Sequence, residues 1–262
     1  MKLAIGGSSG FVGTELVRQA LSNPAITSII GLSRRETSAP SSAADAAKLK
    51  LIVCEDFENY SDGIKRELED VDACIWTIAV TPMRLKSLPW EETVKISKVY
   101  PMIAIQTLAN LPRKDGQPLR FVYMSGHFAP RQRTEQVKVL GDYGMTELGY
   151  LRVSLIATLP SHEAPASSLI QPLKADCGAQ GEVETDILEF AEQSNGAVQS
   201  CVTKSGFING PGKVVPKVPG LPLVELQDIA AAILDQVING FEKDTLSNDD
   251  LVRIGQKALK EQ

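Results

Sequence analysis

Apolar positions in this chain fall into short unbroken runs separated by stretches with a helical repeat. Residues Lys2 to Ile5 form a short apolar run that stops at Gly6, which predicts a buried first strand. Behind it Val12, Leu16 and Ala20 recur every fourth residue, as do Gly13, Val17 and Leu21, giving a helix one apolar face. Asn23-Pro24 ends that helix. Further strands are predicted over Ser28 to Leu32, Leu51 to Cys54, Ala73 to Ile78, Leu119 to Met124 and Val198 to Thr203. Helices are predicted over Ser61 to Leu68, Trp90 to Leu108, Val183 to Ala191 and Leu226 to Phe241. Pro101 has no amide hydrogen and should kink or divide the second of these. Val183, Ile187, Leu188 and Ala191 should face inward on the third. The stretch from Arg34 to Leu49 is polar, rich in Ser and Ala, and predicts a loop or weak helix.

Strands and helices alternate throughout, which predicts a mostly parallel sheet covered on both faces. With right-handed crossovers this is the α/β, doubly wound arrangement of a Rossmann sheet. No repeat or linker divides the 262 residues, so one domain spanning residues 1–262 is expected. Net charge is −5, which argues against a nucleic-acid or membrane-surface partner, since both favour a basic face. Three of the four cysteines, Cys54, Cys74 and Cys201, lie in strand-like runs where a thiol acts as a small hydrophobe; Cys177 lies elsewhere. No two cysteines form a C-x-x-C pair, and His127 and His162 are the two histidines. A metal site is therefore not expected. The N-terminus runs straight into a strand with no signal-peptide pattern. No run approaches the ~18 apolar residues of a membrane span. A soluble, cytoplasmic protein is expected.

The chemistry begins between the first strand and first helix, at Gly7-Ser8-Ser9-Gly10-Phe11-Val12-Gly13. In such a turn one glycine permits the bend, one lets backbone approach a pyrophosphate, and one lets helix and strand pack closely. The helix N-terminus then offers amides and partial positive charge to phosphates. Gly7, Ser8, Gly10, Phe11, Val12 and Gly13 are thus candidate dinucleotide-binding residues. Enzymes using NAD place an acid at the end of the second strand for the ribose 2′-hydroxyl. Here that place reads Ser33-Arg34-Arg35, and a guanidinium fits a 2′-phosphate and stacks on adenine. The expected cofactor is NADP(H). After the third strand, Asp56-Phe57 is placed to approach the adenine.

These motifs resemble an atypical short-chain dehydrogenase/reductase, near the Tat-interacting-protein-like reductases and the fungal NAD(P)-binding epimerase-like proteins. The resemblance extends to Phe121-Val122-Tyr123-Met124-Ser125-Gly126, Gly181-Glu182-Val183-Glu184 and Lys204-Ser205-Gly206, where Ser205 replaces a proline of the relatives. It implies a cofactor running along Thr77, Ile78 and Ala79. It also implies a catalytic serine at Ser125 and a proton-transferring tyrosine in a Tyr-x-x-x-Lys pattern. Tyr143 is the candidate, but Glu147 stands where lysine is expected, and Tyr150 is followed by Ser154. A carboxylate there raises a tyrosine pKa instead of lowering it. His127, just beyond Ser125, is a further possible substrate contact.

Two classes of function stay open. One is an NADP(H)-dependent oxidoreductase or epimerase-like enzyme on a small organic substrate, with specialised metabolism as a setting. The other is a non-catalytic NADP(H)-binding regulatory or interaction protein. The segment Val153 to Gln180 has no convincing periodicity, holds three prolines, and reads as an aberrant insertion. Removing it joins Tyr150-Leu151-Arg152 to Gly181-Glu182-Val183-Glu184, as in the relatives. Val153-Ser154 can be encoded as a splice donor, Ala175-Asp176 as a branch point and Gln180 as an acceptor. Arg152 then takes the lysine position and could hold the cofactor ribose, and Leu148 takes the tyrosine position. The competing expectation is a true insertion that covers the substrate.

Overall fold

Each predicted strand forms, and most run further than the apolar stretches that announce them. The computed structural model describes residues 1–36, 47–80, 87–113, 116–127, 129, 182–215 and 220–261, with Trp90 and Glu182 described by backbone only. Tyr143, Glu147, Leu148, Tyr150, Arg152, His162, Cys177 and the segment Val153 to Gln180 lie outside the described residues.

The order along the chain starts with β1 (Lys2–Gly6), α1 (Phe11–Ser22), β2 (Ser28–Ser33), β3 (Leu49–Val53), α2 (Asp62–Leu68) and β4 (Ala73–Trp76). It continues with α3 (Trp90–Val94), a π-helical turn (Lys95–Val99), α4 (Tyr100–Asn110), β5 (Leu119–Gly126), α5 (Glu182–Gln193) and β6 (Val198–Ser205). Last come β7 (Phe207–Asn209), β8 (Leu223–Glu225), α6 (Leu226–Asn239), β9 (Thr245–Leu246) and α7 (Asn248–Glu261). The pattern of apolar residues predicted none of β7, β8, β9 and α7.

Seven strands pair in the order β3-β2-β1-β4-β5-β6-β9, and every ladder is parallel. β7 and β8 form a separate parallel pair. Alternate side chains feed two cores, one on each face of the sheet. Leu3, Ile5, Ile29, Ile75 and Val122 pack with Leu16, Ile229, Ile233 and Leu251 of α1, α6 and α7. Ala4, Ile30, Trp76, Phe121 and Tyr123 pack with Tyr100, Ile105, Val183 and Ile187 of α4 and α5. No helix among the described residues is long and apolar enough to cross a membrane.

Basic side chains close two helix ends. Lys48 donates to the carbonyls of Ala20, Leu21 and Asn23 at 2.7–2.8 Å, beyond which α1 cannot continue into Pro24. Arg120 donates to Val237 and Ile238 at the end of α6, both at 2.9 Å. Pro101 divides its helix as expected, through a specific defect. The Tyr100 amide reaches back five residues to the Lys95 carbonyl, and Pro101 has no hydrogen for the Ser97 carbonyl four residues behind it. The Tyr123 hydroxyl donates to that carbonyl at 3.4 Å.

Candidate functional site

The strand order reverses between β1 and β4, and in such sheets ligands bind beyond the carboxyl ends of the strands at that point. The glycine turn leaves β1 there. Gly7 has φ +87°, and a Cβ on it would lie 2.5 Å from Thr77 Oγ1. A Cβ on Gly13 would lie 2.0 Å from the Gly7 carbonyl oxygen, so α1 can approach the turn only with glycine at this position. The turn is fixed from β2, whose Leu32 carbonyl accepts the amides of Gly7 and Ser8 at 2.9 and 3.2 Å. Ser8 is buried and donates its hydroxyl to the same carbonyl at 3.3 Å. Val12 is buried in the core and Phe11 packs against its edge. Gly10 caps α1 with no side chain, and the first turn of α1 carries no acid.

Across the switch point, Thr77 donates its amide and hydroxyl to the Gly6 carbonyl at 2.9 and 2.8 Å. β4 is two residues shorter than expected, which releases Thr77, Ile78 and Ala79 from the ladder as a half-buried rim. At the end of β2, Ser33 is buried and donates its hydroxyl to the Arg35 carbonyl at 2.6 Å, while Arg34 and Arg35 are exposed. Asp56, just past β3, accepts from the Glu58 amide and the Asn59 side chain, both at 2.9 Å, and these bonds hold its carboxyl below the usual carboxylate range.

Asp56 is followed by Phe57, whose ring belongs to the core. The ring is fully buried, edge-on to Tyr60 and Trp76 at 6.1 and 5.4 Å and tilted against Tyr100 at 5.5 Å. An aromatic among three others is held by the core, so Phe57 offers a nucleotide its backbone only. The thiols of Cys54, Cys74 and Cys201 are unpaired and buried. Burial pushes Cys54 up to about 11 and the other two up to about 12, which suits packing and not chemistry.

One strand over from β4, Ser125 stands in register with Lys204 of β6. Their side chains share the face that α5 covers, because Tyr123 and Val202, two residues earlier, pack there. α5 presents Glu184 to the pair. Ser125 Oγ donates to Glu184 Oε1 at 2.5 Å, and Lys204 Nζ lies 3.1 Å from both carboxylate oxygens. Lys204 also donates to the Ala129 carbonyl at 2.5 Å. Ser125 and Glu184 are 4% and 2% exposed. Behind them Ser205 donates to the Ser125 carbonyl at 3.3 Å, and the His127 amide donates to the Ser205 carbonyl at 2.7 Å. Burial, then the Lys204 ammonium, push the His127 imidazole below its usual value against a smaller pull from Asp249. The structure thus brings the glycine turn, Thr77 and Ser125 to one edge of the sheet, at the ends of neighbouring strands. The candidates Tyr143 and Arg152 lie outside the described residues.

Sequence reasoning did not assign Glu184 or Lys204. The signal was an acid beside Val183 on the inward face of α5, and a lysine closing an apolar strand.

No protein-family model matches the chain, and no curated protein matches it. Solved structures do share its fold. One is MoeE5 in complex with UDP-glucuronic acid and NAD, with 13% identity, TM-score 0.60, and coverage of 94% of this chain and 75% of that one. Another is vestitone reductase from alfalfa (Medicago sativa), with 16% identity, TM-score 0.60 and coverage of 94% and 76%. A third is the dTDP-glucose 4,6-dehydratase DesIV from Streptomyces venezuelae with NAD bound, with 17% identity, TM-score 0.57 and coverage of 99% and 81%. The chain has the fold of these enzymes, a parallel Rossmann sheet.

Proposed function

We propose that the chain is an NADP(H)-binding oxidoreductase of the short-chain dehydrogenase/reductase type, acting in the cytoplasm on a small organic substrate. One observation carries this: a bare glycine turn at the switch point shares one edge of the sheet with a strand that ends in a buried, charge-coupled serine. The residues fit a dinucleotide. Thr77 and the Gly7 carbonyl exclude side chains at Gly7 and Gly13, which makes the turn tight, and Gly10 leaves its backbone bare for the approach of a pyrophosphate. When bound, the nicotinamide gives or accepts a hydride. The amides opening α1 face the phosphates, and Arg34 with Arg35 binds the 2′-phosphate. The Asp56 carboxylate and the Phe57 backbone approach the adenine, and Thr77, Ile78 and Ala79 line the dinucleotide. Ser125 meets the substrate. Tyr143 is proposed as the acid and Arg152 as the ribose-holding cation.

A second function, NADP(H)-binding regulation without turnover, is favoured by one specific feature. Glu147 follows Tyr143 where a lysine would activate it. Following NADPH absorbance with added carbonyl compounds separates the two, since a regulator binds NADPH without consuming it.

NADPH is expected to bind more tightly than NADH by roughly 10- to 150-fold, the equivalent of one charge-assisted contact. Fluorescence titration of both cofactors measures this, and Arg34→Ala should remove most of the preference. Equal affinities in the parent chain would remove the basis for assigning NADP(H).

A further inference from the structure

Beyond β7 the chain turns back toward the opening of α1. Gly210-Pro211-Gly212-Lys213 matches a type II turn: proline stands second, glycine third with φ +74°, and the Lys213 amide donates to the Gly210 carbonyl at 3.1 Å. The turn is seated on two helix starts. A Cβ on Gly210 would lie 2.9 Å from Cζ of Phe11, the first residue of α1, and 3.1 Å from Cβ of Leu226, the first residue of α6. Glycine at this position lets the turn sit against both. The last residue of the turn sets a cation there, with Lys213 Nζ 4.5 Å from the centre of the Phe11 ring. Lys213 is exposed, and among the described residues it is held by this ring and by no ion pair. A cation–ring contact at an exposed site is weak. The placement also runs against the helix dipole, because α1 begins with partial positive charge and has neither a side-chain cap nor an acid in its first turn. An anion that reaches both would balance these two like charges.

We propose that Lys213 is a ligand of the dinucleotide pyrophosphate: its ammonium leaves the Phe11 ring for phosphate oxygens bound at the amides opening α1. This rests on the proposed function in taking the glycine turn as a dinucleotide site, and it adds a residue from the far end of the chain that the glycine turn does not contain. The turn fixes the backbone of Lys213, so only its four-carbon stem has to move, and exposed side chains change rotamer within picoseconds to nanoseconds. Lysine meets phosphate as a point charge with three donors and no fixed geometry. It therefore reads the pyrophosphate and neither the 2′-position nor the nicotinamide. Lys213 serves NADPH and NADH alike, whereas Arg34 separates them.

Calorimetric titration of the full chain with NADPH, NADH, ADP-ribose and adenosine 2′-monophosphate tests this. Lys213→Met removes the charge and keeps a long apolar side chain. It should weaken NADPH, NADH and ADP-ribose by the same factor of about ten, the loss of one charge-assisted contact. Adenosine 2′-monophosphate has no pyrophosphate and should bind Lys213→Met as it binds the parent. Lys213→Arg should restore most of the affinity. Raising the salt to about 1 M, where the Debye length is about 3 Å, should shrink the gap between the parent and Lys213→Met. Thermal melts without ligand should coincide, because Lys213 is exposed. Unchanged affinities for NADPH, NADH and ADP-ribose in Lys213→Met overturn the proposal and leave the cofactor assignment standing. A loss confined to NADPH overturns it too, by putting Lys213 on the 2′-phosphate. Equal losses that include adenosine 2′-monophosphate, together with a lowered melt, show a structural role and overturn it as well. If NADPH, NADH and ADP-ribose all fail to bind the parent chain, the dinucleotide reading of the glycine turn falls, and the assignment of Lys213 falls with it.

Discussion

Gly10 and Gly13 stand three residues apart in one turn, yet the space around them differs sharply. A Cβ on Gly13 meets backbone at 2.0 Å, and backbone cannot rotate away. Among the described residues, a Cβ on Gly10 meets only the Gly7 carbonyl oxygen, at 3.1 Å, a contact that a small shift relieves. Gly13→Ala should therefore destabilise the fold by about 1–3 kcal/mol, the range for overpacking. Gly10→Ala should fold nearly as well as the parent but, with the pyrophosphate on this turn as proposed, bind NADPH more weakly. Urea unfolding and NADPH titration on both variants check this. A Gly10→Ala chain with unchanged NADPH affinity would move the phosphates off this turn. The sequence placed these glycines correctly from their spacing and flanking elements. It left the place of the Phe57 ring open, because a motif says nothing of which neighbours claim a side chain. Tyr60, Trp76 and Tyr100 come from three separate segments, and only the folded chain brings them around Phe57.

Among the elements, those with dense apolar repeats were legible, and those held by polar caps were not. α1 and α6 were visible because buried positions recur along one face. α7 buries Leu251 and Ile254 beneath a mostly charged surface, too sparse a stripe to predict a helix. What starts α7 is polar. The Asp250 amide donates to Ser247 Oγ at 3.2 Å, and the Ser247 amide donates back to Asp250 Oδ2 at 2.8 Å, a reciprocal cap. Lys243 lies 2.7 Å from the same carboxylate. Burial alone would raise the Asp250 pKa, but Lys243 and Ser247 outweigh it and carry it well below the usual carboxylate value. A depressed folded pKa gives stability that is present above the unfolded value, near 3.9, and is lost as pH falls toward the folded one. Asp250→Asn should thus cost about 1 kcal/mol at pH 7, the size of a lost cap. The difference from the parent should hold down to about pH 5 and shrink below about pH 4. Urea melts across that range measure it, and a gap that widens in acid would show that the charge of Asp250 opposes folding.

At the scale of the whole molecule, alternating elements implied the parallel sheet, and the turn at β1 implied where its ligand edge lies. The Ser125–Glu184–Lys204 network was not legible, because it depends on strand register and on how α5 settles over β5 and β6. Glu184 is 59 residues from Ser125 in the chain, and no local pattern links them. The same network bears on the segment Val153 to Gln180, which lies outside the described residues and which we propose is not part of the functional protein. The elements on either side of it have anchors among the described residues. β5 is held to β6 along its whole length, and His127 beyond it donates its amide to Ser205. α5 is held by Val183 and Ile187, both fully buried, and by Glu184. Deleting Val153 to Gln180 joins Arg152 to Gly181 and removes no anchor named here. It shortens the connection between β5 and α5 by about half, which lowers the entropy cost of closing it by about 0.6 kcal/mol. The deleted chain is therefore expected to melt no lower than the parent and to bind NADPH at least as tightly. With Arg152 drawn next to α5 as a ribose-holding cation, Arg152→Ala should weaken NADPH binding in the deleted chain more than in the parent. Thermal melts and NADPH titrations of the two chains decide this, together with sequencing of the mature transcript. A transcript that always encodes Val153 to Gln180, joined to a deletion that unfolds the protein or abolishes NADPH binding, would establish the segment as part of the protein and make it the cover of the site.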